Sequence, residues 1–122
     1  MQCCGKDSPR YAIDTDTIPA VDVGGTHQKM TSRQIFKAMG LTGTPAATDL
    51  HYYASGGWQK LGSHENAWHI FYVIEGQGEY QVGDETYEIR KGSVVYVPAG
   101  AQHAVKNTGE GELTMLFVAG RA

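Results

Sequence analysis

Short apolar runs separated by glycine-containing turns follow one another through the second half of the chain. The runs "TDLHYYA", "HIFYVIE", "EYQV", "TYEI", "SVVYVP", "QHAVKN" and "LTMLFVA" have the length and composition of β-strands. Turn residues recur about every eight to twelve residues, which is typical of sandwiches and barrels. Gly83-Asp84, between two of the runs, predicts a hairpin. We therefore expect an all-β domain, a small antiparallel barrel or jelly roll, over residues 46–122.

The first 45 residues have a different pattern. Short apolar pieces, "YAI" and "AVDV", lie between Asp, Thr, Pro and Gly, which predicts an irregular N-terminal arm over residues 1–45 that packs on the barrel. Within it, "TSRQIFKAMG" predicts one short helix of about two turns, with Thr31 or Ser32 as the N-cap and Gly40 at its end. One face of this helix is apolar: Ile35, Phe36 and Met39.

Composition excludes several classes of protein. The chain has 122 residues, enough for one domain, and its net charge of -3 is not that of a nucleic-acid-binding surface. No apolar run is long enough to span a membrane, and "MQCCGKDSPR" has no apolar signal region, so we expect a cytoplasmic protein. Cys3 and Cys4 are adjacent and lack the spacing of a zinc or redox site, which favours two reduced thiols near the terminus.

The segment "GSVVYVPAGAQHAVKN" contains a regular set of turn and histidine positions. Gly92, Pro98, Gly100, His103 and Asn107 have the spacing G-x5-P-x-G-x2-H-x3-N. This spacing resembles the second motif of the cupin superfamily, and every defined position matches. The resemblance covers residues 50–118 and implies a double-stranded β-helix, the jelly-roll barrel of small single-domain cupins.

The first cupin motif, G-x5-H-x-H-x3/4-E-x6-G, is present in altered form in "GGWQKLGSHENAWHIFYVIEG". Gly56 and Gly76 match the two glycines, and His64 matches the second histidine. Gly62 occupies the position of the first histidine, and His69 occupies that of the glutamate. A register shifted by one residue would instead place Ser63 and Glu65 at the histidine positions. We favour the register that keeps His64.

In cupins the ligands of both motifs converge on a metal ion inside the barrel. The resemblance therefore implies a divalent metal, Fe, Mn, Ni or Zn, bound by His64, His69 and His103, with Glu65 as a weaker fourth candidate. Neutral imidazoles suit such ions, and three protein ligands leave positions open for a substrate. The alternative is a barrel without metal, because Gly62 removes one ligand.

Other polar residues allow more than one interpretation. His51 and Tyr53 share one face of their strand, so they are candidate catalytic residues if that face is inward, and outer-sheet or dimer-contact residues if it is not. His27 belongs to the irregular arm, which predicts a solvated loop residue. Trp58 and Trp68 are interpreted as packing residues, with the pocket mouth as the alternative.

Two functions of different classes are consistent with these residues. The first is a metal-dependent enzyme acting on a small carboxylate or enol-like substrate, by dioxygenase or isomerase/lyase chemistry. The second is a non-catalytic cupin that binds a small ligand as a sensor or carrier. Epimerase-like activity without metal ranks last, because no Asp lies beside a candidate pocket histidine. Outward apolar side chains after His69, namely Ile70, Tyr72 and Ile74, predict a homodimer.

Overall fold

Antiparallel strands make up most of the fold, as the apolar pattern predicts. The computed structural model describes residues 11–41 and 46–121. Within those ranges the strands are β1 (Val21–Asp22), β2 (His27–Gln34), β3 (Ala46–Gly62), β4 (Ala67–Glu75), β5 (Gln77–Val82), β6 (Glu85–Arg90), β7 (Val94–Val97), β8 (His103–Asn107) and β9 (Leu113–Arg121). The helical elements in the same ranges are a 3-10 turn, Thr15–Thr17, and α1 (Ile35–Ala38). Neither has the length or apolar character of a membrane-spanning helix.

The long strand β3 joins the two halves of a nearly closed barrel. Its first part, Ala46–Tyr53, pairs with β9, and its later part, between Trp58 and Gly62, pairs with β8. The resulting strand order is β6-β5-β8-β3-β9-β4-β7, and the ladders between these strands are antiparallel. Gly57 lies where β3 changes partner. A Cβ there would be 2.9 Å from the carbonyl oxygens of Ala54 and Lys29, so only glycine fits without a shift of the backbone.

The barrel interior is filled by alternate side chains of the strands. Buried residues on these inward positions form the larger core: Met30, Tyr53, Phe71, Val73, Tyr80, Ile89, Val95, Val97, Val105, Leu113 and Met115. The Gly83-Asp84 hairpin is confirmed, because it links β5 to β6 and Gly83 has the positive φ of 59° that such a turn requires.

The N-terminal segment packs against the outer side of β3 and forms a smaller core. Leu50 of β3 contacts Ile18 and Ile35, with Phe36 and Met39 packed against them. The apolar face predicted for the helix is therefore confirmed. The smaller core lies on the opposite side of β3 from Tyr53, as strand alternation requires.

The helix is shorter than the sequence predicts. It begins after Gln34, and the predicted caps Thr31 and Ser32 lie in β2, where they pair with Tyr52 and His51. Backbone pairing with β3 satisfies the amides that a cap would have satisfied in a longer helix. The predicted end is correct, because Gly40 follows the helix with a φ of 74°.

Much of the region predicted to be irregular is part of the sheet. β1 pairs with β2, and β2 pairs with β3 from Gln34 back to His27. The boundary between an arm ending at residue 45 and a barrel beginning at residue 46 stays a prediction. Cys3 and Cys4 lie outside the described residues.

Candidate metal centre

Three histidines from separate parts of the chain meet inside one end of the barrel. His64, His69 and His103 each contribute one potential ligand nitrogen, and these nitrogens all lie within 4.8 Å of one another. The ring centroids are 4.7 Å apart for His64 and His69, and 5.4 Å apart for each of the other two pairs. The structure thus brings together the three residues that the sequence predicts as ligands.

Strand pairing and one turn hold this arrangement. His69 lies on β4, His103 begins β8, and His64 lies in the connection between β3 and β4. Gly62, at the end of β3, pairs directly with His103. His64, two residues after Gly62, therefore lies close to His103. The Gly100 amide then donates a hydrogen bond to the His64 carbonyl oxygen at 2.9 Å. The Pro98–Gly100 turn therefore links the segment carrying His103 to the one carrying His64.

The three rings differ in their access to solvent. His103 is 1% exposed and His69 is 6% exposed, whereas His64 is an exposed residue. Two ligands therefore lie in the barrel wall and the third lies at its opening. A small molecule would approach the group from the side of His64.

Burial keeps the inner imidazoles neutral. It lowers the pKa of His69 to about 4, with further lowering by His64, His103 and His51. Burial also lowers the pKa of His103, opposed by a hydrogen bond with the Ala101 carbonyl and supported by His64. Neutral imidazole is the form that binds metal ions, so these two rings are ready to bind near pH 7 without losing protons.

The residues of this group fit a divalent ion. The Nδ1 atom of His69 is buried and has no hydrogen-bond partner among the described residues. A buried polar atom in that condition is costly unless a ligand, ion or water satisfies it. Three imidazole donors with open positions are the ligand set of a reactive rather than a closed structural metal site.

A fourth protein ligand is missing from the described residues around the group. Glu65 does not belong to the cluster; its carboxylate instead lies against Gly100, where an added Cβ would be 3.3 Å from Oε1. Gly62 leaves open space, because an added Cβ would meet one atom within 4 Å, the Lys60 carbonyl oxygen at 3.9 Å. Since Gly62 pairs with inward-facing His103, that space borders the histidine group.

The two predicted catalytic residues, His51 and Tyr53, both face the interior. The His51 ring stacks on Phe117 at 4.9 Å between centroids, and Phe117 in turn contacts His69 at 4.9 Å. His51 Nε2 lies 3.9 Å from an Asp49 oxygen, and its Nδ1 is buried without a partner in the described ranges. Tyr53 lies deeper, in the larger core, and burial raises its pKa well above the usual value.

The side chain of Asn107 hydrogen bonds with backbone groups of three other residues. Its Nδ2 donates to the carbonyl oxygens of Tyr53 at 2.9 Å and Gly111 at 2.8 Å, and its Oδ1 accepts from the Gly109 amide. These bonds tie the end of β8 to β3 and to the turn before β9.

Trp58 is exposed, so its interpretation as a packing residue is wrong, while Trp68 is partly buried against Gly120.

His27 was missed by reasoning from the sequence. It begins β2 as a half-buried residue, so its interpretation as a solvated loop residue is wrong. Its ring lies 6.3 Å from that of Tyr53, inside the barrel. No local pattern around "GGTHQKM" predicts this position, because it depends on pairing with β3.

The structure is that of a small β-barrel protein with three convergent histidines as a candidate metal site at its opening. The family model described as "Cupin domain" matches residues 50–119, which is more than half of the chain. The chain therefore belongs to the cupin family.

The individual relatives match a smaller share of this chain than the family model does. The oxalate-binding protein of Thermotoga maritima is 31% identical over 58 residues, which are 48% of this chain and 48% of that protein. An uncharacterized protein of Methanocaldococcus jannaschii is 32% identical over 56 residues, 46% of this chain and 45% of its own. The chain thus matches about half the length of these curated relatives.

Solved structures agree on the fold. A predicted oxalate decarboxylase from Thermotoga maritima superposes with a TM-score of 0.80 at 19% identity, covering 92% of this chain and 100% of that one. The polyketide cyclase RemF from Streptomyces resistomycificus gives a TM-score of 0.79 at 19% identity, covering 91% and 80%. At this level of identity the likeness extends to the fold alone.

Proposed function

We propose that this cupin is a metal-dependent enzyme that binds a divalent ion through His64, His69 and His103 and acts on a small carboxylate or enol-like substrate. The observation that carries the proposal is the convergence of three imidazole nitrogens within 4.8 Å at a solvent-accessible end of the barrel. Dioxygenase and isomerase or lyase chemistry are both compatible with such a site.

The charge of the ligand set favours an anionic substrate. Three neutral imidazoles leave the charge of a divalent ion uncompensated, so an oxygen anion is attracted to the site. When bound, the ion supplies an electrophilic centre with open positions, and a redox-active ion adds reactivity toward dioxygen. The open space beside Gly62 offers room for the substrate next to the ligands.

His51 and Tyr53 are proposed to act on the substrate from the barrel interior. His51 has a buried Nδ1 without a partner among the described residues, so it can donate or accept a hydrogen bond from a bound molecule. The raised pKa of Tyr53 keeps its hydroxyl protonated and therefore a donor. Their roles would be to orient the substrate and, for His51, to move a proton.

Metal content and turnover test the proposal together. The full chain would be purified without a histidine tag, its metals measured by mass spectrometry, and oxygen uptake and consumption of small acids screened with the ion found. We expect close to one ion per chain. His103→Ala should weaken metal binding by more than the roughly 10- to 100-fold effect of losing an outer-shell partner, because it removes a ligand.

Gln102→Ala is the matched control, because the neighbouring residue is exposed and lies outside the histidine group. It should retain the ion. Protein that never acquires stoichiometric metal under any loading condition would overturn the metal-dependent proposal.

A second candidate function is a non-catalytic carrier or sensor of a small acid. The missing fourth ligand at Gly62 favours it, as does the similarity to a protein named for binding oxalate. Stoichiometric metal and acid binding without turnover by any acid tested would support this candidate over the enzyme.

We further propose a homodimer in the cytoplasm. Tyr72 and Ile74 of β4 and Val94 and Tyr96 of β7 are exposed on one outer sheet face, which a second copy would cover. Light scattering that gives the mass of a single 13.2 kDa chain would contradict the dimer.

A further inference from the structure

Two of the five histidines of the chain are not accounted for by the three-histidine group. His27 and His51 lie on neighbouring strands, β2 and β3. His27 also lies outside the segment, residues 50–119, that matches the cupin family model. Any function of His27 would therefore come from β2, a strand outside the segment that matches the family model.

Strand register establishes that His27 faces inward. His27 pairs with Gln59 of β3, and Gln59 pairs with Val105 of β8. Directly paired residues point to the same side of a sheet, and Val105 is a buried residue of the larger core. The His27 ring therefore lies on the inner wall, consistent with its contact with Tyr53.

An irregularity in the pairing of β2 with β3 makes this orientation possible. Lys29 has a φ of 54°, and the pairing with β3 shifts between Gln28 and Met30. Met30 is buried in the larger core, so regular alternation would turn His27 outward, three residues away. The left-handed backbone of Lys29, opposite residues 54–57 of β3, interrupts the alternation, and both His27 and Met30 then face the interior.

Two polar side chains, of Thr26 and Gln59, contact the His27 ring. Its Nδ1 lies 3.2 Å from the Thr26 hydroxyl, and its side chain hydrogen bonds with Gln59. Its pKa is lowered chiefly by burial and then by His51, with smaller effects of His103 and His64, so these rings share one electrostatic environment.

Buried polar atoms without partners extend this wall toward His51. Ser32 pairs directly with His51, and both Ser32 Oγ and His51 Nδ1 are buried without hydrogen-bond partners among the described residues. Ser32 is itself more than nine-tenths buried. Native proteins satisfy nearly all buried polar atoms, so these two atoms indicate a ligand or ordered water on the inner face of β2 and β3.

We propose that His27 and His51 form a second polar subsite that hydrogen bonds the far carboxylate or carbonyl group of a substrate whose near carboxylate lies at the three-histidine group. This inference rests on the proposed function. His27 and His103 are separated by two strand spacings and two residues, so their Cα atoms are about 12 Å apart. Both rings lie on the inner face of the barrel, so a molecule that reaches both must be longer than oxalate, such as a longer diacid or keto acid.

Calorimetric titration of the metal-loaded full chain with acetate, oxalate, malonate, succinate and glutarate tests this subsite. The wild type should bind a longer diacid at least tenfold more tightly than oxalate. His27→Phe keeps a ring of similar shape but removes both nitrogens. It should abolish that preference, with metal content and oxalate affinity unchanged. His27→Gln, which keeps a hydrogen-bond donor, should retain part of the preference.

Gln28→Ala is the control for changes in β2, because Gln28 is exposed on the opposite face, and it should bind every acid as the wild type does. Thermal unfolding of each variant would show whether it folds. If His27→Phe does not fold, His27→Gln and His51→Phe are compared with the wild type instead. Diacid binding that is unchanged in His27→Phe and His51→Phe would overturn the subsite alone. Failure of the metal-loaded wild type to bind any acid would overturn the proposed function and the subsite together.

Discussion

The segment that matches the cupin family and the N-terminal segment contribute to the same barrel in different ways. Residues 50–119 supply the three convergent histidines and most of the larger core. Residues 11–41 supply a strand along β3, a smaller core around Ile18 and Ile35, and one imidazole on the inner wall. The family segment thus holds the candidate metal ligands, and the N-terminal strand adds one further imidazole to the interior of the barrel.

The two cores offer the largest contrast in stability. Leu113 is 0% exposed in the larger core, and Leu50 is 8% exposed in the smaller one. We expect Leu113→Ala to lower the free energy of unfolding by about 3–5 kcal/mol and Leu50→Ala by about 2–3 kcal/mol, because the more enclosed site leaves the larger cavity. Urea denaturation followed by circular dichroism measures both.

Leu61→Ala removes the same atoms from an exposed position and should change the free energy of unfolding by less than about 0.5 kcal/mol. A loss for Leu50→Ala that equals or exceeds the loss for Leu113→Ala would mean that the N-terminal segment is as firmly packed as the barrel.

Adding a histidine at position 62 would test whether this position belongs to the candidate metal site. The φ of Gly62 lies outside the left-handed region and the space around it is open, so Gly62→His should fold normally. We expect metal affinity to rise at least tenfold, which corresponds to about 1.4 kcal/mol, because the new ring shares the face of His103. Competition with a chromogenic chelator measures the affinity.

Gly62→Ala provides the control, since it fills part of the space without adding a ligand, and its metal affinity should equal that of the wild type. An unchanged affinity in Gly62→His would indicate that this position does not face the bound ion.

Acid should destabilise the metal-free protein. Protonation of His69 should contribute more to this loss of stability than protonation of His27. Burial lowers the folded-state pKa of His69 from 6.5 to about 4, so the unfolded chain binds protons first as pH falls. This contribution to stability is fully present above pH 6.5 and is lost as pH falls toward 4. The urea concentration at the denaturation midpoint, measured with a chelator present, should therefore decrease as the pH is lowered from 6.5 to 4.

His69→Phe should flatten this dependence more than His27→Phe, because His69 is buried whereas His27 is half-buried. Equal flattening by the two substitutions would contradict the assignment of acid sensitivity to the three-histidine group.

The extent to which the fold could be predicted depended on whether the signals were local. Alternating apolar residues and the turn glycines at Gly83 and Gly100 predict strands and reversals, because these patterns follow from backbone geometry within a few residues. Thr31 and Ser32 show the opposite case. Both are good helix caps by residue type, yet pairing with β3 places them in a strand.

The sequence by itself determined the all-β class, the turns and the spacing that identifies His64, His69 and His103 as candidate ligands. Only the tertiary structure decided that β2 joins β3 and that His27 faces the barrel interior. The positive φ of Lys29, at the shift in the β2–β3 register, changes which side chains point inward. The effect of such a register shift depends on a strand that lies far along the chain, so the residues around His27 cannot reveal it.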